Sequence, residues 1–385
     1  MDGPAYSGPM LSADGHIDFP LMPESLWREN APTELRERMP RVVDSPRGRI
    51  WVSHQGAPLG LVGGMGSAGR PYVPGEIHRS DRMAEHGLYR DQARGVMRPA
   101  IPELRVRDQD TDGVRGEVVY GILGAASRLD DPEVTDCVTH IYNGWLAEFC
   151  RKAPGRFAGI GCLSSSQPEK AALELRRCAE LGLAGAELGM SHDMLPLWHP
   201  SWEPIWRASD DTGLPVHVHT IGPRADTRWM SDPKHYRPWL ATHMTAFQIP
   251  MMGVCAAVIF GGALERHPRM KVVVGEAGIG WLPYALERFD YEWEDQFRDL
   301  IPRPPSEYWR RQMYATFQID RTGLENLERI GADTVMWGSD FPHPDGTWPD
   351  SREILRPQLA GIPLEHQRKI LFENAARLYR FPIAR

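Results

Sequence analysis

Short runs of apolar, β-branched residues alternate with stretches of helical length throughout the sequence from residue 112 onward. Seven such runs occur in this part, and an eighth precedes them near the N-terminus. This alternation predicts βα units whose strands lie parallel in one sheet. The predicted strands are 12–17, 117–123, 157–163, 184–189, 214–219, 271–276, 314–319 and 334–340.

Eight βα units are typical of a (β/α)8 TIM barrel, an α/β fold whose active sites lie at the carboxyl ends of the strands. A doubly wound sheet would show the same periodicity, but it needs a glycine-rich phosphate-binding turn between a strand and a helix. The glycine-rich stretch 63–66 has no clear strand before it and no helix after it. We therefore expect a TIM barrel, with a flexible loop at 63–66.

The 385 residues are predicted to form a single domain, 1–385, with one long insertion. Residues 19–111 follow the first predicted strand and are rich in Pro, Gly and Arg, without long periodic segments. An insertion after the carboxyl end of a barrel strand overhangs the barrel mouth. We expect residues 19–111 either to shape the substrate pocket or to form an oligomer contact, as in a homo-oligomer.

The charge balance argues against several classes of partner. The chain has 44 basic and 51 acidic residues, a formal net charge of −7 and a pI near 6.1. Nucleic-acid binding needs a basic face, which is not visible here. The sequence also has no run of 18 apolar residues and no signal-peptide pattern, so we expect no membrane partner and a cytoplasmic location.

Side chains that commonly bind metals occur at the ends of the predicted strands. Asp14 and His16 point the same way, because side chains alternate along a strand, and both can reach one ion. The fifth predicted strand ends in His217 and His219, of which His219 is nearer the tip. His219 is therefore the better candidate ligand, whereas His217 is interpreted as a hydrogen-bond partner behind the ligands or as a buried structural histidine.

Two further predicted strands end in carboxylates. Asp340 closes an apolar run, where a carboxylate is costly to bury without a cation or a donor, so we expect a metal ligand or a base acting on metal-bound water. Glu276, in a Gly-Glu-Ala-Gly turn, is expected to be a ligand and a catalytic residue. The role of His343 remains open: it could be a metal ligand, a substrate contact or a cap for the following loop. Glu187 and His192 are candidates for a second metal position or for structural residues.

A second segment at the predicted mouth, residues 221–239, mixes basic and aromatic side chains. One interpretation is a solvated, Pro-rich loop. The other is a lid whose Arg224, Arg228 and Arg237 bind an acidic group such as a phosphate, while aromatic side chains cover an apolar body.

The order Asp-x-His on strand one, His on strand five and Gly-Ser-Asp on strand eight resembles the amidohydrolase superfamily, specifically the branch of aminocarboxymuconate-semialdehyde decarboxylase and related aromatic-acid decarboxylases. The resemblance covers nearly the whole chain outside 19–111, and it implies a metal-dependent barrel with Asp14, His16, His219 and Asp340 as ligands. Two positions depart from the pattern. Asp14 replaces a His or Glu, and Glu276 stands where that branch usually carries a catalytic His.

A small branch of the same superfamily combines the Asp-x-His start with the Gly-Glu-Ala-Gly turn, and the sequence is similar to it. That branch includes the TIM-barrel nonheme diiron monooxygenase of platensimycin and platencin biosynthesis. The similarity implies two iron ions, dioxygen as co-substrate, an electron donor and a CoA-linked, bulky apolar acyl substrate. We therefore expect a monooxygenase of secondary metabolism.

Two alternatives remain open. The first is a mononuclear hydrolase or decarboxylase with zinc or manganese, which would turn over without oxygen. The second is a catalytically inactive barrel that acts in binding or assembly.

Overall fold

The computed structural model describes residues 6–66, 69–191, 193–220 and 233–382. The strands in these residues form an eight-stranded sheet of order β1-β5-β6-β7-β8-β9-β10-β11 and a three-stranded sheet of order β2-β3-β4. Their bounds are β1 (Met10–Ser12), β2 (Arg41–Ser45), β3 (Gly48–Val52), β4 (Pro58–Leu61), β5 (Val114–Val119), β6 (Phe157–Leu163), β7 (Gly185–Leu188), β8 (Val216–His219), β9 (Val272–Gly275), β10 (Met313–Phe317) and β11 (Val335–Trp337).

All neighbouring strands of the larger sheet are parallel, and its two ends meet. The chain beyond β1 pairs with the chain beyond β11: His16 N donates to Phe341 O at 2.7 Å, and Asp340 N donates to Asp14 O at 2.8 Å. Closure of an eight-stranded parallel sheet with helices between its strands confirms the predicted TIM barrel.

Most helices connect successive barrel strands. The long helix α6 begins with Pro132 at its first position, and the side chain of Asp131 accepts hydrogen bonds from two of its first backbone N–H groups. The bounds are α1 (Leu26–Asn30), α2 (His78–Glu85), α3 (Leu88–Ala93), α4 (Pro102–Asp112), α5 (Leu123–Ala126), α6 (Pro132–Arg151), α7 (Pro168–Glu180), α8 (Glu203–Thr212), α9 (Pro233–Ala246), α10 (Pro250–Phe260), α11 (Ala263–Arg266), α12 (Leu282–Glu292), α13 (Pro305–Gln312), α14 (Arg321–Glu325), α15 (Leu327–Ile330), α16 (Ser351–Leu359), α17 (Leu364–Arg368) and α18 (Asn374–Tyr379).

The predicted strands correspond to the eight barrel strands; the bounds agree for β6 and differ for the other seven, most of all for β1 and β5. β1 ends at Ser12, so Asp14 and His16 lie just beyond it, where isolated bridges from Gly15 to Phe341 and from His16 to Tyr120 continue the ladder. β5 begins at Val114, three residues before the predicted start. It can begin there because Gly113, with φ of 73°, ends α4 in the left-handed conformation and turns the chain at once.

Residues between β1 and β5 have structure of their own. The antiparallel strands β2, β3 and β4 form the smaller sheet, and α4 packs against β5. The stretch 63–66, expected to be a flexible loop, is a hydrogen-bonded turn in which Gly63 N donates to Pro20 O at 2.9 Å and Gly64 N donates to Leu61 O at 2.8 Å. The single-domain description with an insertion over the mouth stays a prediction.

Residues Lys234–Phe260, which span α9 and α10, form a helical stretch of 27 residues that is long and apolar enough to cross a membrane. Only 22% of its most apolar window is buried against the rest of the described chain. The core helices of soluble proteins also reach this length and composition, so these two properties alone identify no membrane span. The expected absence of a membrane partner stays a prediction.

Candidate metal centre and active site

Four of the predicted ligands converge at the barrel mouth. In the described part of the chain, Asp14 Oδ1, His16 Nε2, His219 Nε2 and Asp340 Oδ1 are buried without a hydrogen-bond partner. His16 Nε2 lies 3.2 Å from Asp14 Oδ1 and 3.1 Å from Asp340 Oδ1, and His219 Nε2 lies 3.7 Å from Asp14 Oδ1. Ligand atoms about 2.1 Å from a tetrahedral ion are about 3.4 Å apart, so Asp14, His16 and His219 fit one divalent cation, and Asp340 adjoins this group through His16.

The electrostatics of these four side chains favour a positive charge between them. Burial alone would raise the pKa of Asp14, but the imidazoles of His16 and His219 beside it hold that pKa well below its usual range. Burial acts against the charged imidazoles, yet Asp14 and Asp340 raise the pKa of His16 to about 9. The same field that attracts a proton attracts a metal ion, which must displace that proton to bind.

The two oxygens of Asp14 have different surroundings. Oδ2 accepts hydrogen bonds from Thr316 Oγ1 at 2.8 Å and from Glu276 N at 3.0 Å. Both donors orient the carboxylate so that Oδ1 faces the other ligand atoms. Thr316 was not predicted as a site residue. Its only signal in the sequence is a hydroxyl in the otherwise apolar end of β10.

The backbone at two strand tips has an unusual conformation. Glu276 and Asp340 follow the ends of β9 and β11 with φ of 50° and 58°, in the left-handed region that residues other than glycine rarely adopt. Such strain persists where the surrounding structure enforces it, often at functional sites. Gly338 also permits a close approach, since a Cβ there would lie 2.3 Å from Asp14 Cβ. The tips can therefore bring Asp340 beside Asp14.

Glu276 lies at the edge of the centre, beside His219. Its Oε2 accepts a hydrogen bond from Thr220 Oγ1 at 3.1 Å and lies 3.6 Å from His219 Nε2. It groups with Asp340 and Asp345 as a second set of carboxylates, rather than with Asp14 and the two histidines. Burial and the charge of Asp340 raise the pKa of Glu276 to about 8, although His219 acts against them.

His343 lies between two carboxylates. Its Nε2 is 2.8 Å from Asp18 Oδ2, and its Nδ1 is 3.2 Å from Asp340 Oδ1. The ring stacks on His16 with the centroids 4.1 Å apart. The structure thus places His343 against two predicted ligands, Asp340 and His16.

His217 and Glu187 lie near the histidine ligands. His217 is fully buried, and its Nδ1 lies 2.7 Å from the hydroxyl of Tyr120, whose ring packs against His16 and His219. Burial lowers the pKa of His217 to about 3, so the ring is neutral. Glu187 is also buried, and burial raises its pKa to about 7, although the charges of the two histidines act against this.

The rim holds one cationic side chain that the sequence interpretation missed. Arg70 follows β4 and lies close enough to Asp345 and to His243 of α9 to interact with their charges. The predicted substrate residue Arg237 is exposed on α9. Three other predicted residues lie outside the described part of the chain: His192, Arg224 and Arg228.

Comparison with known proteins gives a consistent set of similarities. Residues 77–381 match the family model described as amidohydrolase (Amidohydro_2). The chain is 26% identical over 257 residues to a gamma-resorcylate decarboxylase of Rhizobium sp. (strain MTP-10005), covering 63% of this chain and 77% of that protein. It is 27% identical over 250 residues to 2-amino-3-carboxymuconate-6-semialdehyde decarboxylase of Dictyostelium discoideum, covering 64% and 67%.

A solved structure has the same fold over almost the whole chain. It is a dihydroxybenzoic acid decarboxylase from Polaromonas sp. JS666 with bound manganese and the inhibitor 2-nitroresorcinol. The TM-score is 0.62 at 20% identity, with 98% of each chain covered.

The predicted function of a diiron monooxygenase is wrong, because the relatives are decarboxylases. The two irons and dioxygen expected with it have no support, whereas the alternative of one zinc or manganese ion is consistent with the manganese of the structural neighbour. Glu276, expected to be a ligand, has its Oε2 3.6 Å from His219 Nε2 at the edge of the centre, and its role as a ligand stays a prediction.

Proposed function

The chain belongs to the amidohydrolase family, in its branch of aminocarboxymuconate-semialdehyde decarboxylase-like enzymes, and on this premise we propose that it is a metal-dependent decarboxylase of an unsaturated carboxylic acid. One observation carries the proposal. Asp14, His16 and His219, with Asp340 beside His16, bring together at the barrel mouth buried ligand atoms that have no hydrogen-bond partner in the described chain, and the relatives of the chain are decarboxylases.

Asp14, His16, His219 and Asp340 would hold one manganese or zinc ion. Bound there, the ion would act as a Lewis acid that binds an anionic oxygen of the substrate and withdraws electrons from the carbon that loses CO2. Thr316 keeps Asp14 in its orientation by donating to the other carboxylate oxygen.

Decarboxylation replaces a carbon–carboxylate bond with a carbon–hydrogen bond. CO2 leaves, the bonding electrons stay on the carbon, and one proton is taken up: R–COO⁻ + H⁺ gives R–H + CO2. Glu276 is the group that we assign to deliver this proton. Thr220 donates to its Oε2, and burial together with the charge of Asp340 raises its pKa, which favours the acid form.

Arg70 supports the proposal from the rim of the mouth. The site contains several carboxylates, so an anionic substrate needs positive charge in addition to the metal ion. The guanidinium of Arg70, close to Asp345 at the rim, can attract a carboxylate and bind it through two N–H groups. We assign to it the recognition of a second anionic group on the substrate.

The variant Glu276→Gln tests the assignment of the proton donor. Because general acid catalysis contributes about 100- to 10,000-fold, CO2 release from γ-resorcylate and related hydroxybenzoic acids should fall by at least about 100-fold in the manganese-loaded variant. Bound manganese, measured by elemental analysis, should remain. The matched control is Glu287→Gln, at a side chain that is 80% exposed. A wild-type rate in Glu276→Gln would exclude this role.

A further inference from the structure

A fully buried arginine lies behind the metal centre. Arg105, on α4, is 0% exposed and makes a bidentate ion pair with Glu117 of β5: Nε lies 2.5 Å from Oε1, and Nη2 lies 3.1 Å from Oε2. It also donates to three backbone carbonyls, those of His16 at 2.7 Å, Pro99 at 3.0 Å and Phe341 at 3.2 Å.

These contacts use all five N–H groups of the guanidinium. Nε and one N–H of Nη2 bind Glu117, the second N–H of Nη2 binds Phe341, and the two N–H groups of Nη1 bind His16 and Pro99. A lysine offers three donors from one atom and cannot reproduce this planar fork. The site therefore requires arginine for its shape as well as for its charge.

Two of the three carbonyls belong to segments that carry metal ligands. His16 is itself a ligand candidate, and Phe341 directly follows Asp340. The ring of Phe341 also lies under the guanidinium, 5.1 Å from its carbon. Gly15, directly before His16, leaves room for the ion pair of Arg105 and Glu117, since a Cβ there would lie 2.7 Å from an oxygen of Glu117.

We propose that Arg105 is a positioning residue that sets the spacing of the ligands His16 and Asp340. One rigid fork binds the backbone of both ligand segments, and His16 Nε2 and Asp340 Oδ1 lie 3.1 Å apart. Glu117 holds the fork in place from β5. The inference rests on the metal site of the proposed function, but it does not depend on which acid is decarboxylated.

A buried ion pair that only stabilises the fold would also lower stability when broken, so stability alone does not test the proposal. Arg98 provides a matched control. It is largely buried, pairs with the buried Asp108, and donates to the backbone carbonyl of His86 at 3.0 Å, and none of its hydrogen bonds in the described chain goes to a ligand segment.

The experiment titrates Mn²⁺ into the metal-free proteins and follows free and bound Mn²⁺ by electron paramagnetic resonance. Loss of a group that orients metal ligands costs about 10- to 100-fold in affinity, so Arg105→Lys should weaken binding by that factor and change the spectrum of bound Mn²⁺. Arg98→Lys should lower the melting temperature but leave the dissociation constant of Mn²⁺ within a factor of about two of wild type, since it leaves that orientation intact.

Wild-type affinity in a folded Arg105→Lys variant would overturn the positioning role and leave the proposed function intact. Absence of Mn²⁺ and Zn²⁺ binding by the wild type would overturn both. If Arg105→Lys does not fold, Glu117→Gln serves in its place, because it removes the charge that holds the fork. Weaker Mn²⁺ binding by Glu117→Gln supports the proposal, and wild-type binding overturns it.

Discussion

At the scale of single residues, Asp14 shows how a carboxylate becomes a metal ligand. One oxygen accepts two hydrogen bonds and is satisfied, while the other faces the buried Nε2 atoms of His16 and His219, which lack hydrogen-bond partners in the described chain. A buried oxygen without a partner is costly, and a cation removes that cost. The hydroxyl of Thr316 matters because it donates to Oδ2 and so leaves Oδ1 to face the metal position.

The variant Thr316→Val tests this division of roles. Valine has nearly the shape of threonine but donates no hydrogen bond, so Asp14 loses one of the two donors that orient it. We expect Mn²⁺ affinity to fall by about 10-fold or more, as for other groups that orient metal ligands. Thr316→Ser keeps the hydroxyl and is expected to bind Mn²⁺ nearly as wild type. Equal affinity in the valine variant and wild type would contradict the account.

At the scale of elements, the junction of α4 and α16 contains a buried carboxyl group. Asp112, the last residue of α4, accepts hydrogen bonds from the backbone N of Ser351 at 2.9 Å and from its hydroxyl at 2.5 Å. Ser351 is the first residue of α16. Burial raises the pKa of Asp112 to about 7, although the two hydrogen bonds act against it. The folded protein therefore favours the protonated acid.

This pKa predicts how stability depends on pH. The folded state holds the proton of Asp112 up to about pH 7, whereas the unfolded chain loses it near its ordinary pKa of about 4. The folded state binds more protons between these values, so its stability falls as pH rises from about 4 to about 7. Each pKa unit corresponds to about 1.4 kcal/mol, so the loss attributable to Asp112 is a few kcal/mol at most.

The variant Asp112→Asn isolates this contribution, because the amide can donate to the hydroxyl of Ser351 and still accept from its backbone N. Its unfolding free energy, from urea titrations at pH 5 and pH 8, should fall less between these values than that of wild type. The exposed Asp299→Asn serves as the control and should follow wild type. Parallel pH profiles for wild type and Asp112→Asn would refute the prediction.

At the scale of the whole molecule, the barrel was predictable because its eight strands repeat one pattern, and four candidate ligands were identifiable because each is a polar group near the tip of an apolar strand. Thr316, Arg105 and Arg70 were not. A threonine in a strand or an arginine in a helix has no local signature, and Thr316 meets Asp14 across 302 residues of sequence. These contacts exist only once the barrel has closed.

The reaction could also not be predicted from the local sequence pattern. Glu276 in place of a histidine changes the charge of the site, and the sequence alone does not say whether a carboxylate there binds a second metal or carries a proton. Its burial beside Asp340, which raises its pKa to about 8, is a property of the folded site. The relatives then favour decarboxylation.

The most direct test of the account is CO2 release by the manganese-loaded protein under strictly anaerobic conditions, with metal content measured on the same sample. We predict about one manganese per chain, CO2 release from hydroxybenzoic acids without oxygen, and loss of activity when a chelator removes the ion. In D2O the product should carry one deuterium at the carbon that lost CO2. Two irons per chain with product formation that requires oxygen, or turnover by the metal-free protein, would contradict the central claim.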